Sequence, residues 1–300
     1  MGKISVVGSS NTDMVIKSKR LPVPGETILG GTFFMNPGGK GANQSVAIAR
    51  LGGQVVFICK TGNDIFGKQS VQHMKEEGIN TQCMFTDPDH PSGVALIMVD
   101  DKAENCISVA SGSNGTLHPV DIDKSIKEIE SSDIVLLQLE IPMQTVEYTA
   151  KKAVSLKKAV ILNPAPAQIL SGELLKCISV ITPNETEAEL LTGIKVTDQA
   201  SAAKAAKILK DKGVSTIIIT MGSNGAFVLT DTLSKIIPVQ KVIPVDTTAA
   251  GDTFNGALVV AISEGKDIEE AIIFANKAAA ISVTRLGAQS SVPYRNEIKD

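Results

Sequence analysis

Asp133-Ile134-Val135-Leu136-Leu137-Gln138 and Thr216-Ile217-Ile218-Ile219-Thr220 are runs of strand length whose inner positions are all isoleucine, valine or leucine. A strand with one wet face alternates apolar and polar residues. A run without alternation needs cover on both faces, as in a parallel sheet between helical layers. Working outward, Ile4–Val7, Val55–Cys59 and Ala159–Leu162 are further strand candidates. Ala42–Leu51, Gly67–Glu77, Thr145–Leu156 and Ala200–Lys212 carry the apolar spacing of helices. Strand and helix alternate along the chain, which predicts an α/β fold: a doubly wound, mainly parallel sheet flanked by helices. With no internal repeat, low-complexity tract or linker in 300 residues, one catalytic-sized domain over 1–300 is expected.

Two stretches break this rhythm. Residues 14–36 hold the β-prone pieces Val15–Ser18 and Glu26–Leu29, separated by Pro22, Pro24 and Gly25. Residues 93–109 read as a hairpin, Val94–Val99 and Asn105–Val109, around the polar turn 100–104. Neither has a helical partner, so both are expected on a small β appendage, used as a flap beside a site, as a dimerisation surface, or as both.

Composition excludes several functions. A formal net charge of −3 gives no basic face for nucleic acid or an acidic membrane. Aromatics make up only 3% with no tryptophan, so ring stacking is a minor recognition device. Cys59, Cys83, Cys106 and Cys177 form no C-x-x-C pair and read as free, largely buried thiols. His73, His90 and His118 lack metal-ligand spacing. The N-terminus runs straight into a strand without a signal-peptide core, and no apolar run reaches the ~20 residues needed to cross a bilayer. A cytoplasmic location is expected.

Asp246-Thr-Thr-Ala-Ala-Gly-Asp252-Thr-Phe-Asn255 is the most informative segment. Its small residues allow close backbone approach, and a helix is expected to start near Asp252. Free N–H groups at that start favour an anion, and a carboxylate there could take a proton from an attacking hydroxyl. On local grounds Asp252 fits an ordinary N-cap equally well. In Thr182-Pro-Asn-Glu-Thr-Glu-Ala-Glu189, Thr182 and Glu185 have capping-box spacing with Pro183 at the first helical position. Asn184 and Glu187 then share a helical face and could hold the hydration shell of Mg²⁺.

Asn36-Pro-Gly-Gly-Lys40-Gly-Ala-Asn43-Gln44 is not a P-loop, because glycine follows Lys40 where serine or threonine is required. Its glycines still allow a ligand near the backbone, with Lys40 and Asn43 as donors, or they simply cap the following helix. Gly8-Ser-Ser-Asn11-Thr-Asp13 lacks the G-x-G-x-x-G fingerprint, which counts against a dehydrogenase. Asn11 and Asp13 suit a polyol or a turn. Glu140 stands where a buried strand ends, on the ligand-binding edge of such sheets.

The order of these segments resembles the ribokinase family of small-molecule kinases. Asn11/Asp13 comes first, then Gly39-Lys40-Gly-Ala-Asn43, Glu140, Asn184/Glu187, Thr220-Met-Gly-Ser-Asn-Gly225 and Ala249-Ala-Gly-Asp252. The resemblance covers nearly the whole chain, including Asn163-Pro-Ala-Pro-Ala167 and Gly287-Ala-Gln-Ser-Ser-Val-Pro293. It implies that ATP phosphorylates the 5-hydroxyl of D-ribose, with Asp252 as base and the backbone of Ala249, Ala250, Gly251 and Asp252 as anion hole. Asn11, Asp13, Gly39, Lys40, Asn43 and Glu140 would hold the sugar hydroxyls. Asn184, Thr220, Gly222, Ser223, Gly225, Gly251 and Asn276 would meet the nucleotide, and Glu187 the Mg²⁺ shell through water. A monovalent cation, usually K⁺, would sit at Asp246, Thr248, Ser282, Arg285, Gly287 and Ser291. The two hairpin-like stretches correspond to the family's β lid, which commonly pairs into a homodimer.

Another sugar such as fructose or deoxyribose, or a nucleoside, is the competing substrate. From a different class, a non-catalytic sugar or nucleotide sensor could use the same fold. The intact Asp252 segment argues against the sensor.

Overall fold

The computed structural model describes residues 2–102 and 104–299, so Ala103 of the 100–104 turn lies outside the described residues. In chain order the strands are β1 (Lys3–Val7), β2 (Asn11–Lys17), β3 (Thr32–Gly38), β4 (Gln54–Gly62), β5 (Met84–Asp87), β6 (Gly93–Val99), β7 (Asn105–Ala110), β8 (Ile134–Leu137), β9 (Ala159–Leu162), β10 (Val180–Ile181), β11 (Thr216–Thr220), β12 (Ala226–Leu229) and β13 (Ser234–Ile237). The helices are α1 (Lys40–Arg50), α2 (Ile65–Glu76), α3 (Pro119–Lys124), α4 (Ile126–Glu130), α5 (Met143–Ser155), α6 (Gly172–Cys177), α7 (Glu185–Thr192), α8 (Gln199–Asp211), α9 (Ala250–Ser263) and α10 (Ile268–Ser282).

Among the described residues, the larger sheet has the order β13-β12-β11-β10-β9-β8-β1-β4-β5. Pairing is parallel from β11 through to β5, and antiparallel only for β12 and β13. The unbroken apolar runs serve two cores. Ile134 and Leu136 of β8 face one core, built with α1, α9 and α10; Val135 and Leu137 face the other, built with α3 to α8. Ile218 divides from Ile217 and Ile219 in the same way. The sheet is therefore the expected doubly wound, mainly parallel one. From β1 the chain moves outward to β4 and β5, then returns to β8 and winds the other way. The switch point lies between the ends of β1 and β8, where α/β sheets open a crevice for ligands.

The smaller sheet, β3-β2-β6-β7, collects both irregular stretches. The hairpin β6–β7 is as expected, but Glu26–Leu29 forms no strand. The strand lies later, at Thr32–Gly38, and contains Pro37. A proline is tolerated because β3 is an edge strand with one ladder unpaired. Register places Asn11, Asp13 and Asn36 on one face, and Met14, Ile16, Phe33, Met35 and Leu96 on the other. Of the cysteines, Cys59 and Cys83 are buried, Cys177 is half-buried and Cys106 is exposed on β7, so burial is less general than composition suggested. Among the described residues, no helix is long and apolar enough to cross a membrane.

Helices α1 and α9 cross closely over the switch point. A Cβ on Gly256 would lie 2.4 Å from the Ala47 Cβ and 3.0 Å from the Gln44 carbonyl oxygen. Neither neighbour is a flexible chain end. Gly256→Ala is expected to lower the unfolding free energy by ~1–3 kcal/mol, read from denaturant melts. An unchanged midpoint would mean that the two helices part without penalty.

Candidate active site

Gly39 closes the turn between β3 and α1 with φ +89°, and a Cβ there would lie 2.8 Å from the Asn11 backbone nitrogen. Glycine is thus required for the small sheet to touch the start of α1. Lys40 opens α1, and its backbone N–H donates to Glu140 Oε2 at 2.9 Å; the Ser9 hydroxyl donates to the same oxygen at 2.5 Å. Glu140 stands three residues beyond the end of β8, tied to the ends of both switch-point strands. Asn11 is oriented from behind, because Asn114 Nδ2 donates to its Oδ1 at 2.7 Å.

Asp252 is not the N-cap. Ala249 takes that place in left-handed backbone (φ 57°), and α9 begins at Ala250, so Asp252 sits in the first turn. Its side chain turns away from its own helix. Asn43 Nδ2 donates to Oδ2 at 2.9 Å, and Gln44 Nε2 donates to Oδ1 at 2.9 Å. The Ala250 N–H donates to the Thr247 carbonyl, which among the described residues leaves Ala249, Gly251 and Asp252 as the N–H groups of this helix start with no acceptor one turn back. A Cβ on Gly251 would meet no atom within 4 Å. That space is a cavity of about 220 Å³ running from Lys40 and Asp252 to Asn184, Glu187 and Thr220.

The capping box of α7 lies two residues later than expected. Asn184 Oδ1 accepts from the Glu187 N–H at 2.8 Å, and Glu187 Oε2 accepts from the Asn184 N–H at 2.9 Å. Both Thr-x-x-Glu and Asn-x-x-Glu occur in this segment, and the buried Asn255 decides between them by accepting the Thr182 hydroxyl at 2.6 Å. Asn184 keeps its amide nitrogen and Glu187 its second oxygen for other partners.

Thr220 ends β11 and bridges to Asn184. Gly222 (φ 51°) and Gly225 (φ 91°) shape the following turn, with Ser223 exposed. Asn276 is spoken for: its amide nitrogen donates to the carbonyls of Ile237 (3.1 Å) and Pro238 (3.3 Å), so it shapes the end of β13 rather than the cavity wall. Asp246 joins two distant segments, accepting from the Thr248 N–H and the Gly287 N–H, each at 2.9 Å. Ser282 and Ser291 are buried and donate to carbonyls of their own turns, Ala279 and Ala288, while Arg285 pairs with Glu297.

Charge in the site is unbalanced. Lys40 faces Asp252, Glu140, Glu187 and Asp13, and chiefly the Asp252 charge raises its pKa against the effect of burial. Asp13 is pushed up to about 6 by burial and then by the charges of Glu140 and Asp252. Burial also raises Glu187, with Asp252 adding to it. A wider cleft of about 750 Å³ lies between Arg50, Arg285, Tyr294 and Arg295. Glu77, Glu297 and Glu264 neutralise those arginines, so it lacks the free charge of the first site.

This arrangement can hold a polyol among acceptors, activate one hydroxyl at Asp252, and receive an anion at the start of α9. The model of the pfkB family of carbohydrate kinases matches residues 1–295. The chain belongs to that family. It is accordingly a phosphotransferase. It is 49% identical to the ribokinase of Haemophilus influenzae, over 98% of this chain and 96% of that protein. A deoxyribokinase of Salmonella typhi is 38% identical over 97% of this chain and 95% of its own length. The structure of the Arabidopsis thaliana ribokinase complexed with ribose and ATP superposes with a TM-score of 0.94 at 32% identity, covering 99% of this chain and 97% of that one.

Sequence reading missed the amides behind the site: Gln44, Asn114, Gln138, Asn163 and Gln289. Asn163 and Gln289 lie within segments that carry the family resemblance, and Gln44 carried a local signal, since it lies on the apolar face of α1 with Ala47 and Ile48.

The raised pKa of Asp13 makes stability depend on pH. The native protein holds this proton up to about pH 6, whereas the unfolded chain releases it near 3.8. Stability therefore falls as pH rises through that window and stays lower above it. Asp13→Asn removes the buried charge and is expected to stabilise the ligand-free protein by roughly 1–2 kcal/mol at pH 8, after allowance for partial exposure, and hardly at pH 4. Thermal melts at the two pH values check this; equal shifts at both would contradict it.

Proposed function

We propose that this chain transfers the γ-phosphoryl group of ATP to the 5-hydroxyl of D-ribose, with Asp252 as general base. The observation that carries the reading is the buried Asp252 carboxylate, gripped by Asn43 and Gln44 beside Gly251 and opposite Lys40. Asn11, Asp13, Gly39, Lys40, Asn43 and Glu140 surround the sugar. The 5-hydroxyl gives its proton to Asp252 as its oxygen bonds to phosphorus, and the bond from phosphorus to ADP breaks. The N–H groups of Ala249, Gly251 and Asp252, with Lys40, face the charge that builds on the transferring group.

Asn184, Thr220 and the turn Gly222–Gly225 lie on the nucleotide side of the cavity, with Gly251 on the phosphoryl path. Glu187, with one oxygen left over from its cap, fits the hydration shell of Mg²⁺, which takes few protein ligands. That ion would neutralise phosphate charge. Asp246 accepts from the N–H groups of Thr248 and Gly287 and so draws those two segments together; a K⁺ there would take this carboxylate with Thr248, Ser282, Arg285, Gly287 and Ser291. The small sheet, 14–36 and 93–109, acts as a lid that excludes water from the transfer. A cytoplasmic location fits the free thiols.

Deoxyribose is the second reading, favoured by the Salmonella typhi relative. Ribose is preferred here because a site that hydrogen-bonds hydroxyls rejects a ligand lacking one. Asp252→Asn is expected to lower kcat by about 10²–10⁴-fold while ribose still binds. Coupled ADP detection over a panel of ribose, 2-deoxyribose and fructose checks both points. Near-normal turnover in that variant would end the base assignment, and a preference for another sugar would end the choice of ribose.

The outer face of the lid exposes Ile16 (44%), Phe33 (57%), Met35 (49%) and Leu96 (57%). A contiguous apolar face of this kind fits a second copy of the chain. Leu96→Glu, at its middle, is expected to convert a dimer into monomers in analytical ultracentrifugation. A parent chain that sediments as a monomer would refute the dimer.

A further inference from the structure

Asp252 is held from two sides by amide side chains whose orientation only one arrangement satisfies. A carboxylate accepts hydrogen bonds and donates none, so Asn43 must turn its nitrogen toward Oδ2. Its Oδ1 then faces outward and accepts from Gln289 Nε2 at 3.0 Å. The Gln289 Oε1 in turn faces His73 Nε2 at 2.9 Å, which must carry the ring proton. On the other side, Gln44 Nε2 donates to Oδ1 and also to Asn163 Oδ1 at 3.1 Å. Gln44 Oε1 accepts from Gln138 Nε2 at 2.6 Å. Along His73–Gln289–Asn43 and along Gln138–Gln44 the donors therefore point toward Asp252, and only the branch from Gln44 to Asn163 leads away from it.

These amides are buried, with Gln44 and Gln138 fully excluded from solvent and Gln289 at 2% exposure. Gln138 Oε1 ends the series with no donor at all. Burial of that oxygen without a partner carries a free-energy cost, and Gly8 packs so closely that a Cβ would lie 2.0 Å from it. A core built for stability alone would place an apolar residue there. An arrangement with its polarity set by one carboxylate serves that carboxylate.

We propose that Gln44 and Gln289 are positioning residues for phosphoryl transfer. Gln44 fixes the plane of the Asp252 carboxylate, and Gln289 locks the Asn43 amide in the one orientation that donates to it. Neither touches substrate. The inference rests on Asp252 being the base, and it adds that the base works only while its donors keep this polarity. Gln289 also lies on the 287–291 turn, so the chain links that C-terminal segment to the sugar site on α1.

The test separates polarity from shape. Gln289→Glu keeps the shape but reverses the chain, because an ionised carboxylate cannot donate to Asn43. It is expected to lower kcat by ~30-fold or more, as misplacement of a reacting group does, and to be worse than Gln289→Ala. Gln44→Met, apolar and of similar length, is expected to lower kcat comparably with ribose KM within about threefold, since orientation rather than binding is lost. Both losses should vanish on an Asp252→Ala background, where the residual rate no longer depends on the carboxylate. Thermal melts monitor folding; if Gln44→Met is too unstable to assay, the two Gln289 variants carry the comparison. Alanine at 289 being worse than glutamate, or losses that add to that of Asp252→Ala, would make these residues simple packing and overturn the proposal. Where the parent enzyme phosphorylates ribose and Asp252→Asn does not, either of those two overturning results leaves the base intact and removes only the positioning claim. Turnover in Asp252→Asn would instead remove the base, and this proposal with it.

Discussion

The close crossing of α1 over α9 is the constraint on which the site depends. Gly256 lets the two backbones meet at Ala47 and Gln44, and both helices then point their N-termini at the gap between β1 and β8. Lys40 and Asn43 arrive from one helix, Gly251 and Asp252 from the other. Widening the crossing by one methyl group would move donor and acceptor apart, because Asn43 and Gln44 reach Asp252 directly. Packing and chemistry share a contact here, so the first turn of each helix is held as rigidly as the core beneath it.

Around that crossing the molecule accepts an electrostatic penalty. Asp13, Glu140, Glu187 and Asp252 converge on a single Lys40, and two of the carboxylates have raised pKa values as a result. Such crowding opposes folding and suits a ligand rich in hydroxyl donors, which replaces the lost hydration of the carboxylates. The small sheet resolves the geometry. Its β2 strand carries Asn11 and Asp13 on the inner face, while Asn114 and the turn glycines hold that strand against α1.

Much of this was legible in the sequence, for identifiable reasons. Strands such as Ile134–Leu137 and Thr216–Thr220 announce themselves because burial on both faces forbids polar interruption. The hairpin Gly93–Ala110 follows from alternation around a polar turn. Where the structure departs from local pattern, two such patterns compete. Thr182 and Asn184 both stand three residues before a glutamate, and a partner 73 residues away, Asn255, chose between them. Glu26–Leu29 looks like a strand, but that loop is closed by the Arg20–Glu26 ion pair and the edge position went to Thr32–Gly38.

The sequence by itself determined the layered α/β architecture, the two sheets and the membership in a carbohydrate kinase family, because hydrophobic period and motif order are local or linear properties. Only the tertiary structure decided where Asp252 stands and what holds it. Locally it reads as a helix cap; in the fold Ala249 caps the helix and Asp252 faces amides from α1, 208 and 209 residues away in the chain. The same holds for Gln44, Gln138 and Gln289, whose amides gain meaning only from the carboxylate they point to. Hydrogen-bond polarity across a sheet edge is a three-dimensional property, and no spacing rule along one segment encodes it.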